Sequence, residues 1–302
     1  MSVTSPFVFG LCAEGAEGAL RQELLEQGLK PAYARPGFVT ARVEGEALSL
    51  DAPLQSVFAR RLVLSFGKQK SVDDVKDELG ATLVHVVGAR TQKRDPQPGE
   101  VVVTSVRVDS DVWVGAHRHR RGISPDVGGD PGLVAPPHAP SRAWCKIEEA
   151  IRRFGLDVAA GMRVLEIGSA PGGVSQALLD RGCSVVGVDP NEMDPRVLSR
   201  PGFRHLQTSV IHLRERDIGG PVECLVVDIN QPPHAVLDRV APLCQGLRAG
   251  LTVAVFTLKL PRWELVRELP KWRERLEGLL RMETFAAQLP SNRQELCVVA
   301  VR

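Results

Sequence analysis

The sequence lacks the patterns that mark membrane, secreted and metal-binding chains. No apolar run approaches the length of a membrane-spanning helix, and the first residues lack the basic segment and apolar core of a secretion signal. None of the six cysteines stands in a C-x-x-C pair, which argues against a disulfide framework and against a zinc site. These absences predict a cytoplasmic protein with reduced cysteines, no bound metal and no membrane contact.

The sequence also lacks a strong excess of charge of either sign. Its formal net charge is +2 and 43% of its residues are hydrophobic, which is ordinary for a soluble globular protein. Composition alone therefore gives no argument for nucleic-acid binding, and any basic surface must be local. The length of 302 residues fits one large or two ordinary domains.

Proline and glycine are concentrated in one segment, residues 121–140, which holds five prolines and four glycines. Because this composition suits neither helix nor sheet, we predict a linker there. Before it, residues 1–120 show short strand and helix patterns, including a helix around 54–59, that predict a smaller α+β domain of the ferredoxin-like type. Residues 141–302 form the second predicted domain.

Strand patterns alternate with helical connections in residues 141–302, which predicts a doubly wound, mostly parallel sheet. Ser141 is expected to cap the first helix, and Pro270 to kink a long helix over 263–281. The last two strand patterns are joined by only residues 290–294, a length that fits antiparallel neighbours. A parallel α/β sheet of seven strands that finishes with an antiparallel strand resembles the Rossmann-like fold of class I methyltransferases.

Residues 164–173 read as a buried strand, a glycine turn and a helix start. Gly168 permits a tight turn and close approach of a ligand, and Pro171 suits the first position of a helix. About 20 residues later Asp189 ends the next strand, where its carboxylate is able to bind the hydroxyls of a ribose. The pattern predicts a site for a nucleotide-type ligand. By itself it also allows a nicotinamide-dependent dehydrogenase, although the glycine spacing differs from that fingerprint.

Four charged residues are expected at one edge of the predicted sheet. Ligands of such sheets bind at the carboxyl ends of the parallel strands. Asp228 and Lys259 end two of these strands, and Glu295 opens the antiparallel strand that arrives at the same edge. Lys146 lies on the helix that leads into the sheet.

With these residues the chain resembles the FtsJ-type ribose methyltransferases. More specifically, it resembles the bacterial enzymes that methylate a cytidine 2'-hydroxyl in 23S ribosomal RNA. The resemblance extends over the whole chain and implies a reduced THUMP-like RNA-binding unit within residues 1–120. It rests on residues 139–146, 167–173, 227–228, 259–261 and 293–295.

The resemblance implies methyl transfer from S-adenosyl-L-methionine to a ribose 2'-hydroxyl. It assigns Lys259 as the general base in a catalytic set with Lys146, Asp228 and Glu295. Burial, the cationic donor and the second lysine are expected to lower the pKa of Lys259. The implied cofactor contacts are Ser141, Glu166, Gly168, Ser169, Ala170, Pro171, Gly172, Gly173, Val174, Asp189 and Asp228. Glu166 departs from the family pattern, in which aspartate is usual.

The resemblance implies RNA, and ribosomal RNA in particular, as the partner. The enzyme is expected to be a monomer. Residues 117–121 are five consecutive basic or potentially basic side chains beside the linker, a stripe that suits a phosphate backbone. A solvated basic loop is the alternative interpretation. The predicted RNA contacts are Arg118, Arg120, Arg121 and Arg142.

Two further hypotheses stay open at this point. One is a non-catalytic RNA-binding or ribosome assembly factor that keeps the fold, and the other is a methyltransferase that acts on a different RNA. Residues 228–234 also invite comparison with the signature of methyltransferases that act on amino groups. The comparison fails because Gln231 separates Asn230 from the prolines and His234 replaces the aromatic ring.

Overall fold

A computed structural model describes residues 3–52, 54–68, 70–89 and 94–302. The chain divides into two compact units, the N-terminal unit (Met1–Gly132) and the C-terminal unit (Leu133–Arg302). The division falls within the segment 121–140 that the sequence marks as a linker. None of the helices in the described ranges is long and apolar enough to cross a membrane.

The N-terminal unit is built on one mixed sheet. The sheet has the strand order β3-β4-β2-β6-β9-β8-β7; β7 and β8 are parallel and the other neighbours are antiparallel. Strands β1 and β5 form a separate antiparallel pair. The elements are β1 (Thr4–Ser5), β2 (Phe7–Leu11), α1 (Glu17–Glu26), β3 (Leu29–Arg35), β4 (Phe38–Val43), β5 (Leu48–Ser49), β6 (Arg61–Gly67), α2 (Val72–Leu79), β7 (Leu83–Val86), β8 (Val101–Val108) and β9 (Asp111–Arg118).

The helix predicted around residues 54–59 is wrong. The carboxylate of Glu23 in α1 accepts hydrogen bonds from the Ser56 hydroxyl and, at 2.6 Å, from the backbone N–H of Val57. Backbone donors in this segment are thus bonded to α1 instead of to a helical turn of their own. The order β3-β4-β2-β6 with α1 is a split βαβ arrangement, and no second helix lies between β4 and β6 in the part of the chain that the structure describes. The ferredoxin-like and THUMP-like assignments stay predictions.

The C-terminal unit has the mostly parallel seven-stranded sheet that the sequence predicts. Its strand order is β12-β11-β10-β13-β14-β16-β15; β10 to β14 are parallel, and β16 runs antiparallel to both of its neighbours. The elements are α3 (Ala143–Phe154), β10 (Arg163–Ile167), α4 (Gly173–Asp180), β11 (Ser184–Val188), α5 (Pro195–Leu198), β12 (Phe203–Leu206), α6 (Glu215–Ile218), β13 (Cys224–Val227), α7 (Pro233–Leu247), β14 (Val253–Lys259), α8 (Leu269–Leu280), β15 (Glu283–Ala287) and β16 (Glu295–Val301).

Three local predictions in this unit are corrected by the structure. Pro270 does not kink a long helix: residues 263–268 form 3-10 turns and α8 starts at Leu269, so Pro270 lies in its first turn, where no N–H is needed. Pro171 lies before α4, which begins only at Gly173. Ser141 is not the N-cap of α3; Arg142 takes that position, and the Ser141 hydroxyl accepts from the N–H of Ala143 at 3.3 Å.

Candidate active site

The carboxyl edge of the parallel strands gathers the charged residues that the sequence singled out. Asp228 directly follows β13, and Lys259 is the last residue of β14. Glu295 opens β16 and pairs across the ladder with Lys259, because β16 runs antiparallel to β14. The reversed direction of the last strand therefore places the carboxylate of Glu295 beside Lys259 at the end of β14.

Lys146, Asp228, Lys259 and Glu295 form one alternating cluster of two ammonium and two carboxylate groups. Lys146 Nζ lies 2.6 Å from Glu295 Oε1 and 3.3 Å from Asp228 Oδ2. Lys259 Nζ lies 2.5 Å from Glu295 Oε2 and 2.8 Å from Asp228 Oδ1. Each carboxylate thus faces both lysines, and the four side chains are only 9% to 21% exposed.

The pKa values of this cluster are set by opposing influences. Burial acts to lower the pKa of Lys259, but the carboxylates of Asp228 and Glu295 outweigh it and hold that pKa above its ordinary value. For Glu295, burial raises the pKa, while the two lysines lower it by more, so the net shift is downward. The pKa of Lys259 is thus raised in this structure, because the carboxylates of Asp228 and Glu295 both lie within bonding distance of its ammonium group; the lowered pKa expected with the cationic donor bound stays a prediction.

Residues 168–173 form a glycine loop at the same edge of the sheet. Close packing there requires glycine at several of its positions. Gly168 has φ +85°, and a Cβ there would lie 2.3 Å from the carbonyl oxygen of Asp228. A Cβ at Gly173 would lie 2.2 Å from Ser141 Oγ, so the start of α4 packs directly against the start of α3. Gly172 has φ +114°, a conformation that L side chains rarely adopt. These glycines let the backbone of β10, α3 and α4 meet beside Asp228.

Glu166 lies in β10 beneath this loop and is 1% exposed. Its carboxylate accepts a hydrogen bond from the hydroxyl of Ser175 in α4. Burial raises its pKa to about 8, helped by the nearby Asp228 and Asp189, although the Ser175 bond acts in the opposite direction. Glu166 is therefore mostly protonated at neutral pH, and Ser175 is a partner that the sequence did not reveal.

Asp189 follows β11 and shapes the glycine loop from the neighbouring strand. Its Oδ2 accepts from the N–H of Ala170 at 3.1 Å. Its Oδ1 accepts from the backbone and side-chain N–H groups of Asn191 at 2.8 Å and 2.9 Å. The carboxylate is thus fixed at the strand end where a ribose-binding group was predicted.

Several other predicted cofactor contacts have side chains engaged inside the protein. Ser169 is 2% exposed, and its hydroxyl lies 3.5 Å from the sulfur of Met193. Val174 belongs to the hydrophobic core, against which Ala170 packs. Ser141 packs on Gly173 as described. Contacts from these residues to a cofactor would use the backbone, and their assignment stays a prediction.

The basic segment 117–121 does not form one exposed stripe. His117 and His119 are buried, whereas Arg118 pairs with Asp51 at 2.6 Å. Arg120 donates to the carbonyl of Leu54 at 2.5 Å. Of the remaining two predicted RNA contacts, Arg121 is exposed, and Arg142 donates to the carbonyl of Ser291 at 3.3 Å.

Metal ligands and redox-active cysteines do not contribute to the described site. Among the described residues, no group of three His, Cys, Asp or Glu side chains could hold a metal ion. The six cysteines are free and buried.

The C-terminal unit has the fold of class I methyltransferases. Its residues 139–268 match the model of the FtsJ-like methyltransferase family. Within this class, the chain is similar to curated proteins named Ribosomal RNA large subunit methyltransferase M.

Three of these relatives show how far the similarity extends. The chain is 33% identical over 190 residues to the protein of Halorhodospira halophila, 34% over 169 residues to that of Methylococcus capsulatus, and 31% over 219 residues to that of Xanthomonas oryzae pv. oryzae. These matches cover 60%, 55% and 68% of this chain and 53%, 45% and 60% of the relatives. The chain thus spans about half the length of the curated relatives it matches.

Proposed function

We propose that this protein transfers a methyl group from S-adenosyl-L-methionine to a ribose 2'-hydroxyl of RNA. The observation that carries the proposal is the cluster of Lys146, Asp228, Lys259 and Glu295 at the carboxyl edge of an FtsJ-like domain. A sugar hydroxyl is a weak nucleophile, so its methylation needs alignment and a base. Two lysines held by two carboxylates provide both.

The glycine loop and Asp189 fit S-adenosyl-L-methionine. Gly168 and Gly172 carry no Cβ and have positive φ, and Gly168 places this bare backbone next to the ends of β10 and β11. Asp189 Oδ2 has one contact, from Ala170, and a further lone pair able to accept a ribose hydroxyl. When bound, the cofactor supplies an electrophilic methyl group on a cationic sulfur.

The lysines have different tasks in the proposed reaction. Lys259 Nζ takes the proton of the 2'-hydroxyl, and Asp228 and Glu295 hold that nitrogen in place. Lys146 Nζ, fixed by the same carboxylates, orients the hydroxyl oxygen and screens its developing negative charge. The raised pKa of Lys259 favours its protonated form. A cation bound beside the cluster would lower that pKa and so favour the neutral form, which acts as the base.

We propose ribosomal RNA as the substrate, and a cytidine of 23S RNA as the modified nucleotide. The relatives named Ribosomal RNA large subunit methyltransferase M support the choice of large-subunit ribosomal RNA. Arg118, Arg120, Arg121 and Arg142 are the proposed RNA contacts. We further propose that the protein acts as a cytoplasmic monomer, in keeping with its free, buried cysteines.

Transfer of a labelled methyl group to unmodified ribosomal RNA tests this function. We expect the purified protein to yield a 2'-O-methylated nucleoside after digestion, and Lys259→Ala to lower the rate at least a hundredfold. Lys271→Ala serves as the matched control, since Lys271 is exposed on α8 and its ion pair among the described residues is a surface pair with Glu268. Cofactor and RNA binding without any transfer would instead support the non-catalytic RNA-binding factor.

A further inference from the structure

The connection between β15 and β16 delivers Glu295 to the cluster and is itself tightly held. Its backbone turns at residues 289–292, where the N–H of Asn292 donates to the carbonyl of Leu289 at 2.9 Å. At its end, the carbonyl of Gln294 accepts from the N–H of Leu260 at 2.8 Å. The residue before Glu295 is thus bonded to the residue after Lys259.

The same connection is fastened to the helix that carries Lys146. Glu149, one helical turn after Lys146, accepts from the backbone N–H of Ser291 at 2.8 Å and from its hydroxyl at 2.6 Å through Oε2. Glu149 is 4% exposed, so these bonds are shielded from water. One helix therefore carries Lys146 and also anchors the loop that positions its carboxylate partner.

Asn292 links this loop to Glu295 directly. Its Oδ1 accepts from the backbone N–H of Leu289 at 2.9 Å, which requires the amide nitrogen to face the other way. That nitrogen, Nδ2, donates to Glu295 Oε1 at 3.2 Å. Asn292 is 5% exposed, and its side-chain orientation is thus determined by a backbone donor.

The carboxylate of Glu295 consequently receives three donors. Oε1 accepts from Lys146 and Asn292, and Oε2 accepts from Lys259. The ammonium groups of Lys146 and Lys259 are carried on flexible side chains, so by themselves they would not fix the rotation of the Glu295 carboxylate. The amide of Asn292 is a donor in a fixed direction, so it holds each oxygen toward its own lysine.

We propose that Asn292 is a positioning residue of the active site, which holds the Glu295 carboxylate in the orientation that presents Lys259 to the substrate hydroxyl. The proposal rests on the proposed function for the reaction it serves. Its structural basis is the juxtaposition of Asn292, Glu295 and the two lysines. Asn292 touches neither reacting group; it acts through Glu295.

Asn292→Asp is the most informative variant because it keeps the acceptor for Leu289 and replaces the donor by a negative charge. A third carboxylate at the cluster, beside Glu295, stabilises the protonated lysines. We expect kcat at pH 7.5 to fall about tenfold, the pH profile of kcat to move upward by about one unit, and the KM for the methyl donor to stay within twofold. The control is Gln245→Glu, which makes the same change on an exposed position of α7.

Asn292→Ser covers the case in which the aspartate variant does not fold. A serine hydroxyl retains an acceptor for the turn and is too short to reach Glu295. We expect a several-fold lower kcat with an unmoved pH profile. Thermal unfolding of each variant establishes that it is folded.

Titration of the lysine ε-carbons by carbon-13 NMR gives a readout that does not need turnover. The proposal predicts a higher titration midpoint for Lys259 in Asn292→Asp than in the wild type. Unchanged lysine titration and an unchanged kcat profile in a folded Asn292→Asp protein would overturn it. If the wild type transfers no methyl group to RNA, the proposed function fails, and the NMR titration still decides the role of Asn292.

Discussion

At the scale of single residues, Lys259 combines a raised pKa with a proposed role as a base. The two carboxylates that hold its nitrogen also stabilise its proton. The four members of the cluster could be predicted from sequence, because strand ends and family motifs place them at one edge. The direction of the Lys259 shift could not, because it depends on how many carboxylates lie within bonding distance.

We predict that methyl transfer accelerates as pH rises. Lys259 acts as a base only when neutral, and its raised pKa keeps the neutral fraction small near pH 7, so kcat should increase about tenfold per pH unit between pH 6 and pH 8. Single-turnover rates with saturating RNA and cofactor measure this. A rate that is flat over this range would exclude Lys259 deprotonation as a limiting step.

Glu166 provides a second prediction at this scale. Its folded pKa of about 8 lies above the ordinary 4.5, so its contribution to stability is complete below pH 4.5 and is lost as pH rises toward 8. We expect Glu166→Gln to stabilise the protein by about 3 kcal/mol at pH 7, since each pKa unit is worth about 1.4 kcal/mol. Denaturant unfolding at pH 4.5 and pH 7 checks this; an equal effect at both pH values would contradict the assignment.

At the scale of elements, most strands could be predicted, including the edge strands β12 and β15 of the C-terminal sheet, but two edge strands of the N-terminal sheet could not. The buried strands β10, β11, β13 and β14 read as apolar runs between turns. The edge strands β3 and β7 were missed, because β3 contains Pro31 and both have one unpaired side, which weakens their apolar pattern. The helix predicted for residues 54–59 is wrong because this segment bonds to Glu23 in α1. A local sequence pattern does not reveal a contact with an element so distant in the chain.

The prediction at the scale of elements concerns the turn after β10, which contains Gly168. In Gly168→Ala the added Cβ meets the Asp228 carbonyl and the left-handed backbone is strained. We expect a loss of about 2 kcal/mol or more in unfolding free energy and at least tenfold in kcat. Gly278→Ala is the control: nothing lies within 4 Å of its added Cβ in α8, so it should be neutral or slightly stabilising. Equal behaviour of the two variants would refute the packing argument.

At the scale of the whole molecule, the N-terminal unit contains an acid-sensitive core. Burial and the nearby Arg61 lower the pKa of His85 and His119 to about 4. Both are therefore neutral in the folded state, and stability that is complete above pH 6.5 is lost as pH falls toward 4. The sequence showed His119 only as part of a basic segment and gave no sign that His85 is buried, since burial depends on the packing of the complete sheet.

We predict that His85→Leu makes stability less dependent on pH between 6.5 and 4. Within the described ranges, neither buried ring nitrogen of His85 has a hydrogen-bond partner, so an apolar side chain removes the cost of protonation and breaks no hydrogen bond of the described residues. Hydrogen exchange of β8 and β9 at several pH values follows the N-terminal unit directly. The same pH dependence in variant and wild type would show that another group controls acid unfolding.

The most direct test of the central claim is a map of 2'-O-methylated nucleotides in total RNA from cells with and without this protein. We predict that one site in large-subunit ribosomal RNA loses its methyl group in cells without the protein, and that wild type restores it while Lys259→Ala does not. An identical set of 2'-O-methyl sites in both cell types would contradict the proposed function.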